Sequence, residues 1–354
     1  MSDKGPFQAI EHLKSGLSLS TQVGCPLSCA YCLLHAGNDE GKVAKTIATA
    51  DDLVNKLMQP ETLFLNGMTP LFINNRTDPF LPEVTEQTFH ILDLLIDHNI
   101  CSPVVLVSKL IPPLSLRDYF AALPLMFIYS YSALGEDINY LDLKKVERLT
   151  QQLPARHLYH YMRPIIPGRN DNLSTLLKTL QVFGKAGFSG SIVSGIRITQ
   201  GNRLYLGDVT ETPSAHKLLE PNLYNGLLSD SVLSALQYPL FRHTSCAIDS
   251  FMMRGNRLGY YHRNGHCDPN CKNGSRCANP YRLSLSSYNQ IVVRFPSIKI
   301  EYAVDQGLTI ETPVSQEATA FLKNAYGVRV AAESVHLPRH ALILSPSEEV
   351  LIGG

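Results

Sequence analysis

The stretch Cys25-Pro-Leu-Ser-Cys29-Ala-Tyr-Cys32 places three cysteines in one short loop, separated first by three and then by two residues. Three thiolates at this spacing fold around one corner of a cubane [4Fe–4S] cluster and leave the fourth iron without a protein ligand. Iron–sulfur proteins that only carry electrons normally complete their cluster with a fourth cysteine. The motif therefore predicts a cluster whose open iron binds something other than the protein.

A structural zinc knuckle, completed by His35, is the alternative interpretation of the same loop. Structural zinc sites usually show cysteines in pairs two residues apart, with a second pair within about twenty residues. The sequence has no second pair after Cys32 at that distance, and Leu33-Leu34 supply apolar side chains where a zinc loop is usually polar. The spacing favours the cluster.

With a tyrosine directly before its last cysteine, the loop resembles that of the radical S-adenosylmethionine (SAM) enzymes. In that family the amino and carboxylate groups of SAM chelate the open iron, and one electron from the cluster cleaves the sulfonium to a 5′-deoxyadenosyl radical. The resemblance implies an enzyme that holds a [4Fe–4S] cluster through Cys25, Cys29 and Cys32 and binds SAM. It also implies a one-electron reductant of the flavodoxin or ferredoxin type as partner.

Length and composition are those of a globular enzyme. The chain has 354 residues, 44% of them hydrophobic and 18% charged, with a formal net charge of zero. This balance gives no overall electrostatic bias toward nucleic acid or membrane. Without an apolar run of about 18 residues or an N-terminal signal pattern, we expect a cytoplasmic protein with no membrane attachment. In that reducing setting the eight cysteines are expected to be metal ligands rather than disulfides.

From residue 17 to about residue 200, strand-like apolar runs alternate with segments of helical periodicity, as in parallel β/α units. Continuously apolar runs are typical of strands covered on both faces. The predicted strands are Leu17–Val23, Leu71–Asn75, Val104–Ser108, Met126–Ser132, Leu158–Ile166 and Ser191–Ile198. The predicted helices are Thr49–Met58, Thr85–His98, Leu114–Leu123, Leu141–Gln151 and Leu173–Ala186.

This alternation predicts an α/β fold with a partial (β/α)6 barrel of the TIM type, which the radical SAM resemblance also implies. Barrel enzymes carry their chemistry on the loops that follow the strands, and the cysteine loop follows the first strand. The predicted organisation is an N-terminal extension over residues 1–16, the barrel over 17–200, a cysteine-rich segment over 201–282 and a small α+β module over 283–354.

Polar side chains at the ends of the other strands are the candidate contacts to SAM. Lys109 ends the third strand and suits the carboxylate of SAM, although a solvated lysine is the plainer alternative. Ser130 and Ser132 share one face of the fourth strand and suit a nucleotide. Arg163, on the fifth strand, is expected to be buried and to meet a carboxylate, either of SAM or of another residue.

The segments Thr77-Asp78-Pro79-Phe80, Ser108-Lys109 and Pro164-Ile-Ile-Pro-Gly-Arg-Asn-Asp resemble the branch of the family that contains spore photoproduct lyase. By that resemblance Thr77, Lys109 and Ser130 match positions that contact SAM, and Tyr31 packs near the adenine. A nucleic acid or nucleotide is the substrate that this branch implies.

One position departs from the branch. The lyase carries a hydrogen-donating cysteine two residues before the position of Thr77, and this chain has Asn75 there. Cys101, just before the third strand, is expected to be a small core residue at the end of the barrel away from the chemistry. The resemblance therefore implies membership of the branch but does not imply its thymine-dimer reaction.

A second group of cysteines lies beyond the barrel, in a segment rich in glycine, asparagine and arginine. Thiolates in a segment with little apolar sequence call for a metal to hold it together. The group consists of Cys246, Cys267, Cys271 and Cys277. Its spacing matches no common zinc module, which favours an auxiliary [4Fe–4S] cluster over zinc. A histidine from the same segment, His243, His262 or His266, is an alternative ligand.

These observations predict a radical SAM enzyme that abstracts a hydrogen atom from a substrate, with a nucleic acid or nucleotide implied by the branch. One alternative is modification of a peptide or small metabolite with the help of the auxiliary cluster. Another is a non-catalytic iron–sulfur or zinc scaffold. The final module, with alternating strands and one helix over Ser315–Ala325, carries no catalytic constellation in its sequence.

Overall fold

The computed structural model describes most of the first 196 residues and parts of the remainder. The described residues are 8–13, 15–27, 29, 31–32, 34, 39–59, 62, 64–134, 143–166, 168–196, 236, 239–241, 243–253, 300–303, 307–310 and 329–330. Among them, no helix combines the length and the apolar character needed to cross a membrane.

The fold is built on an open eight-stranded sheet. The strands in chain order are β1 (Ile10–Leu13), β2 (Gly16–Leu19), β3 (Gln22–Val23), β4 (Lys45–Thr46), β5 (Leu71–Ile73), β6 (Val104–Ser108), β7 (Leu125–Ser130), β8 (Leu158–Ile165), β9 (Ser191–Gly195) and β10 (Leu240–Phe241). The sheet has the order β1-β2-β5-β6-β7-β8-β9-β10. Strand β1 is antiparallel to β2, and every later neighbour pairs in parallel.

Helices connect the parallel strands. They are α1 (Ala50–Leu57), α2 (Pro82–Asp97), a 3-10 helix over Leu114–Asp118 continued by α3 (Tyr119–Ala122), α4 (Leu143–Gln152) and α5 (Leu173–Lys185), with α6 (Thr244–Phe251) following β10. The predicted partial α/β barrel is confirmed, because each of the six predicted strands joins this sheet in parallel. Each of the five predicted helices is present as well, the third largely as 3-10 helix.

Three boundaries differ from the sequence prediction for local reasons. The first predicted strand ends at Leu19, because Gln22 and Val23 leave the main sheet and pair with β4. Strand β5 stops before Asn74, whose φ of 49° lies in the left-handed region that asparagine tolerates. Helix α2 begins at Pro82, since the fixed φ of proline and its missing N–H suit the first position of a helix.

Two strands extend the sheet beyond the predicted barrel boundaries. Strand β1 lies in the segment predicted as an N-terminal extension and forms a hairpin with β2. Strand β10 lies in the segment predicted to be cysteine-rich and pairs in parallel with β9. In the predicted C-terminal module, β11 (Ile300–Ala303), β12 (Gly307–Ile310) and β13 (Arg329–Val330) form a separate three-stranded sheet.

The two faces of the main sheet bury different sets of side chains, as expected from the alternation along each strand. Leu71, Leu106 and Phe127 pack on one face against α1 to α5 in the largest core cluster. The opposite, concave face carries a second cluster, which includes α6. Its buried members are Phe72, Val105, Met126, Ile128, Tyr159, Tyr161, Ile192, Phe241, Ala247 and Ile248. Helix α6 therefore covers part of the concave face.

His160 shows how tightly β8 is packed on its helix-facing side. Its Nδ1 lies 2.8 Å from Ser191 Oγ and its Nε2 lies 2.9 Å from the carbonyl oxygen of Tyr131. The imidazole stacks on the Phe183 ring with centroids 3.7 Å apart. Burial lowers the pKa of His160 from 6.5 to about 3, although the bond to Tyr131 acts in the opposite direction.

We expect the free energy of unfolding to fall as the pH is lowered from about 6.5 toward 4. The unfolded chain binds a proton at this histidine below about pH 6.5, whereas folded His160 stays neutral to about pH 3. Lowering the pH therefore favours unfolding, by about 1.4 kcal/mol per pH unit for this group. Urea titrations between pH 7 and pH 4.5 measure the slope, and a His160→Asn variant with an unchanged slope would contradict the assignment.

Candidate functional site

The cysteine loop, residues 24–44, leaves the sheet after β2 and is closed at its base by the antiparallel pairing of β3 with β4. The Cys25 N–H donates to the carbonyl of Gly41 at 2.9 Å. The Gly24 N–H donates to the carbonyl of Arg76, in the loop after β5, at 3.0 Å. These bonds hold the loop at the carboxyl end of the first two parallel strands, where the sequence places it.

Gly24 is required by this closure. Its φ is +103°, and a Cβ at this position would lie 2.1 Å from the carbonyl oxygen of Val43. Such a contact is far shorter than the van der Waals distance. The clashing atom belongs to the backbone of Val43 in the same loop, so it cannot move away as a flexible side chain could. Only glycine lets the two ends of the cysteine loop approach this closely.

All three cysteines of the loop line one cavity that extends into the concave face of the sheet, with a volume of about 490 Å³. Cys29 is buried, and Cys25 and Cys32 are half-buried. The predicted contacts Tyr31, Thr77, Lys109, Ser130 and Arg163 line the same cavity. The structure thus brings together eight residues that the sequence singled out from five separate segments.

Cys25 is strongly influenced by its surroundings. Burial raises the pKa of its thiol to about 12, a backbone hydrogen bond from Leu27 acts in the opposite direction, and the Asp78 carboxylate raises it further. Thiolate is the form that ligates metals, and a bound cation supplies the positive charge that favours it. The donor set of three thiols on one cavity therefore fits an iron–sulfur cluster. Among the described residues, no group of three or more His, Cys, Asp or Glu side chains is arranged to hold a single metal ion.

Asp78 joins the loop after β5 to the end of β6. Its Oδ1 accepts from Ser108 Oγ at 2.8 Å and from the Phe80 N–H at 3.0 Å, and its Oδ2 accepts from the Lys109 N–H at 2.8 Å. Burial raises the pKa of the carboxyl, while the three hydrogen bonds act in the opposite direction. Asp78 thereby fixes the positions of Thr77 and Lys109 relative to each other.

Thr77 carries a hydroxyl that has no hydrogen-bond partner in the part of the chain that the structure describes. The residue is 8% exposed and lines the cavity, and its Oγ1 is fully buried with no hydrogen-bond partner among the described residues. A buried hydroxyl without a partner is uncommon in native structures, because its desolvation is not compensated. The position of Thr77 at the cavity wall indicates that a ligand supplies the missing hydrogen bond.

Tyr31, the aromatic residue of the cysteine loop, is held by two other predicted contact residues. Its hydroxyl accepts a hydrogen bond of 2.6 Å from Lys109 Nζ and another of 3.3 Å from Ser132 Oγ. Ser130 lines the cavity, as the predicted strand alternation requires, whereas Tyr129 packs on the helix-facing side. Ser132 follows the end of β7 and is fully buried. It contacts the Tyr31 hydroxyl and does not line the cavity itself.

The expectation that Arg163 is buried is wrong, since its side chain is exposed. The residue stands two positions before the end of β8, on the face that carries Tyr161. The Tyr161 hydroxyl lies 2.6 Å from Thr244 Oγ1. Burial raises the pKa of Tyr161, and the nearby Arg163 side chain acts in the opposite direction. Among the described residues, Arg163 forms no ion pair with a carboxylate.

The second cysteine group is described only at its first member. Cys246 lies on α6 and packs against the concave-face cluster. Cys267, Cys271 and Cys277 lie outside the described residues, so the auxiliary metal site stays a prediction. Cys101 is exposed, contrary to the expectation of a small core residue, with its Sγ 3.7 Å from the carbonyl oxygen of Asn99.

Three residues of the site were not predicted to be site residues. Asp78 was noted only as part of the segment Thr77-Asp78-Pro79-Phe80, although an acid directly before a proline at a strand end is a signal for a capping role. Tyr161 shares a strand face with Arg163, but nothing in the sequence indicates its contact with Thr244. Thr244 has no sequence signal, because its place depends on how α6 packs against the sheet.

Comparison with solved structures finds spore photoproduct lyase among the similar proteins. A mutant form with bound AdoMet and dinucleoside spore photoproduct has a TM-score of 0.47 and 11% identity, over 62% of this chain and 73% of that chain. The lyase complexed with dinucleoside spore photoproduct has a TM-score of 0.42 and 12% identity, over 63% of this chain and 67% of that one. A further mutant form has a TM-score of 0.47 and 11% identity, over 71% and 78%. No family model and no curated protein matches the chain.

Proposed function

We propose that this chain is a radical SAM enzyme that abstracts a hydrogen atom from a substrate in the concave cavity. One observation carries the proposal: three cysteines spaced for an open cluster share a cavity with the buried hydroxyl of Thr77, which has no hydrogen-bond partner among the described residues. Cys25, Cys29 and Cys32 would hold the [4Fe–4S] cluster. When bound, that cluster supplies the electron for reductive cleavage of SAM.

The residues beside the cysteine loop would bind SAM. Thr77 and Ser130 offer hydroxyls at the cavity wall, and Lys109 offers a positive charge beside Tyr31. Asp78 holds the backbone of Lys109 and thereby the distance between these groups. Deeper in the cavity, Phe72 and Val107 provide apolar walls. Such walls exclude water from a reactive intermediate, which is the contribution expected of the protein in this chemistry.

The finer parts of the proposal rest on the sequence. The branch resemblance supports a nucleic acid or nucleotide substrate, and the four later cysteines support a second [4Fe–4S] cluster that would favour a peptide or small metabolite instead. A flavodoxin- or ferredoxin-type protein would deliver the electron, in the cytoplasm. Asn75 lines the cavity where the lyase has its donor cysteine, so the returning hydrogen atom of that reaction has no thiol source at this position.

The proposal is tested by anaerobic reconstitution with iron and sulfide, followed by addition of SAM and dithionite. We expect about four irons per chain at the first site and formation of 5′-deoxyadenosine, detected by chromatography. A protein that is loaded with iron but yields no 5′-deoxyadenosine, with or without candidate substrates, would show that the proposed function is wrong.

A variant of Thr77 separates SAM binding from cluster assembly. Thr77→Val removes the unpartnered hydroxyl and keeps the shape of the side chain, so iron content should stay unchanged while the Kd for SAM rises about tenfold. Thr77→Ser, which keeps a hydroxyl, is the matched control and should bind SAM nearly as well as the unmodified chain. Equal Kd values for the valine and serine variants, measured by equilibrium dialysis, would remove Thr77 from the SAM site.

A further inference from the structure

The wall of the cavity formed by β8 and α6 carries a polar group that the proposed SAM site does not use. The Tyr161 hydroxyl and Thr244 Oγ1 lie 2.6 Å apart, and the two residues are 9% and 7% exposed. The Arg163 side chain lies near the Tyr161 hydroxyl and acts against the burial that raises the pKa of Tyr161. All three residues line the cavity. The Arg163 guanidinium thus lies at the cavity beside a buried pair of hydroxyls.

Arg163 has hydrogen-bonding capacity left over. A guanidinium has five N–H donors in a planar fork that matches carboxylate and phosphate oxygens. The described residues provide no carboxylate within ion-pair distance of these donors. Because the exposed Arg163 side chain lines the cavity, its donors can bind an anionic ligand there.

The other charged residues of the cavity are already engaged. Among the described lining residues they are Asp78 and Lys109. The Asp78 carboxylate accepts three hydrogen bonds from the loop after β5 and the end of β6, and Lys109 donates to Tyr31. Arg163 therefore gives its part of the cavity a positive charge that no described acidic side chain neutralises.

The order of strands separates Arg163 from the cysteine loop. Strands β5, β6 and β7 lie between β2, which carries the loop, and β8. At about 4.8 Å per strand this corresponds to roughly 19 Å along the sheet. Thr77, Lys109 and Ser130 follow or end the three intervening strands. The proposed cluster, the SAM contacts and Arg163 thus follow one another across the cavity.

We propose that Arg163, beside Tyr161 and Thr244 in the cavity wall, forms a subsite for an anionic group of the substrate, a phosphate or a carboxylate. This inference rests on the proposed function and adds the chemical class of the substrate to it. It also moves Arg163 from the predicted SAM contacts to the substrate side of the cavity. Its bidentate geometry orients the bound anion, so that the remainder of the substrate extends toward the SAM side.

The test measures anion-dependent stability of the anaerobically reconstituted full chain in the presence of SAM. Its Tm is compared in sodium chloride, sodium phosphate and sodium acetate at equal ionic strength. We expect phosphate or acetate to raise the Tm by about 2 °C relative to chloride, and Arg163→Gln to lose this rise. A larger rise with phosphate indicates a phosphate-bearing substrate, and a larger rise with acetate indicates a carboxylate.

Arg148→Gln is the matched control, because Arg148 is an exposed arginine on α4 that does not line the cavity. This variant should show the same rise in Tm as the unmodified chain, and it thereby controls for the general effect of these salts on stability. The Kd for SAM should change less than twofold in Arg163→Gln. Equal rises in Arg163→Gln and the unmodified chain, or no anion-specific rise at all, would overturn the subsite. A tenfold weaker Kd for SAM would assign Arg163 to SAM instead. Loss of SAM cleavage in the unmodified chain, with the anion effect intact, would contradict only the proposed function.

Discussion

Cys29→Ala is expected to reduce SAM cleavage to the background rate and to lower the iron content by about four atoms per chain. Cys29 is the most buried of the three loop cysteines, and it shares its cavity with Cys25 and Cys32. A cubane with only two protein thiolates loses both affinity and the geometry that leaves a single iron open. Iron analysis and chromatographic detection of 5′-deoxyadenosine measure the two effects on the same sample.

Cys101→Ala provides the matched control for this substitution. Cys101 is exposed, precedes β6 and does not line the cavity, so its replacement should change neither iron content nor SAM cleavage. Cys271→Ala extends the comparison to the second cysteine group, where loss of about four further irons with retained SAM cleavage would support the auxiliary cluster. Zinc in the unmodified chain in place of those irons would contradict it. A Cys29→Ala protein that still yields 5′-deoxyadenosine would exclude the loop as the cluster site.

The barrel was predictable from the sequence because its strands are covered on both faces. Runs such as Val104–Ser108 are continuously apolar, and the helices between them carry one clear apolar stripe, so length and periodicity separate the two. Strand β10 was not predictable, since two residues carry no periodicity. Helix α6 escaped because its role depends on covering the concave face, which is a tertiary property.

The site was predictable in part for a similar reason. The carboxyl ends of parallel strands meet at one edge, so polar residues such as Thr77, Lys109 and Ser130 had to lie near the cysteine loop once the strand order was right. No comparable rule predicts which side chains of the site form hydrogen bonds with one another. The bond between Lys109 and Tyr31 and the burial of Asp78 depend on loop conformations that local sequence does not determine.

Asp78→Ala is expected to lower the free energy of unfolding by about 2–5 kcal/mol. The substitution leaves the Phe80 and Lys109 N–H groups without their acceptor, and an unsatisfied donor in a buried position costs about 1–3 kcal/mol. Ser108 retains part of its bonding, because its Oγ also contacts the carbonyl oxygen of Leu110 at 3.1 Å. Urea unfolding followed by circular dichroism at neutral pH measures the loss.

Asp78→Asn separates the carboxylate from the shape of the side chain. The amide oxygen can keep the bonds from Ser108 and Phe80, whereas the amide NH2 meets the Lys109 N–H, a second donor, in place of Oδ2. We therefore expect an intermediate loss of about 1–3 kcal/mol. Both substitutions weaken the bond that positions Lys109 at the end of β6. The Kd for SAM should therefore rise in both variants, and more in Asp78→Ala than in Asp78→Asn. A stability within about 0.5 kcal/mol of the unmodified chain in Asp78→Ala would show that Asp78 does not hold these two strand ends together.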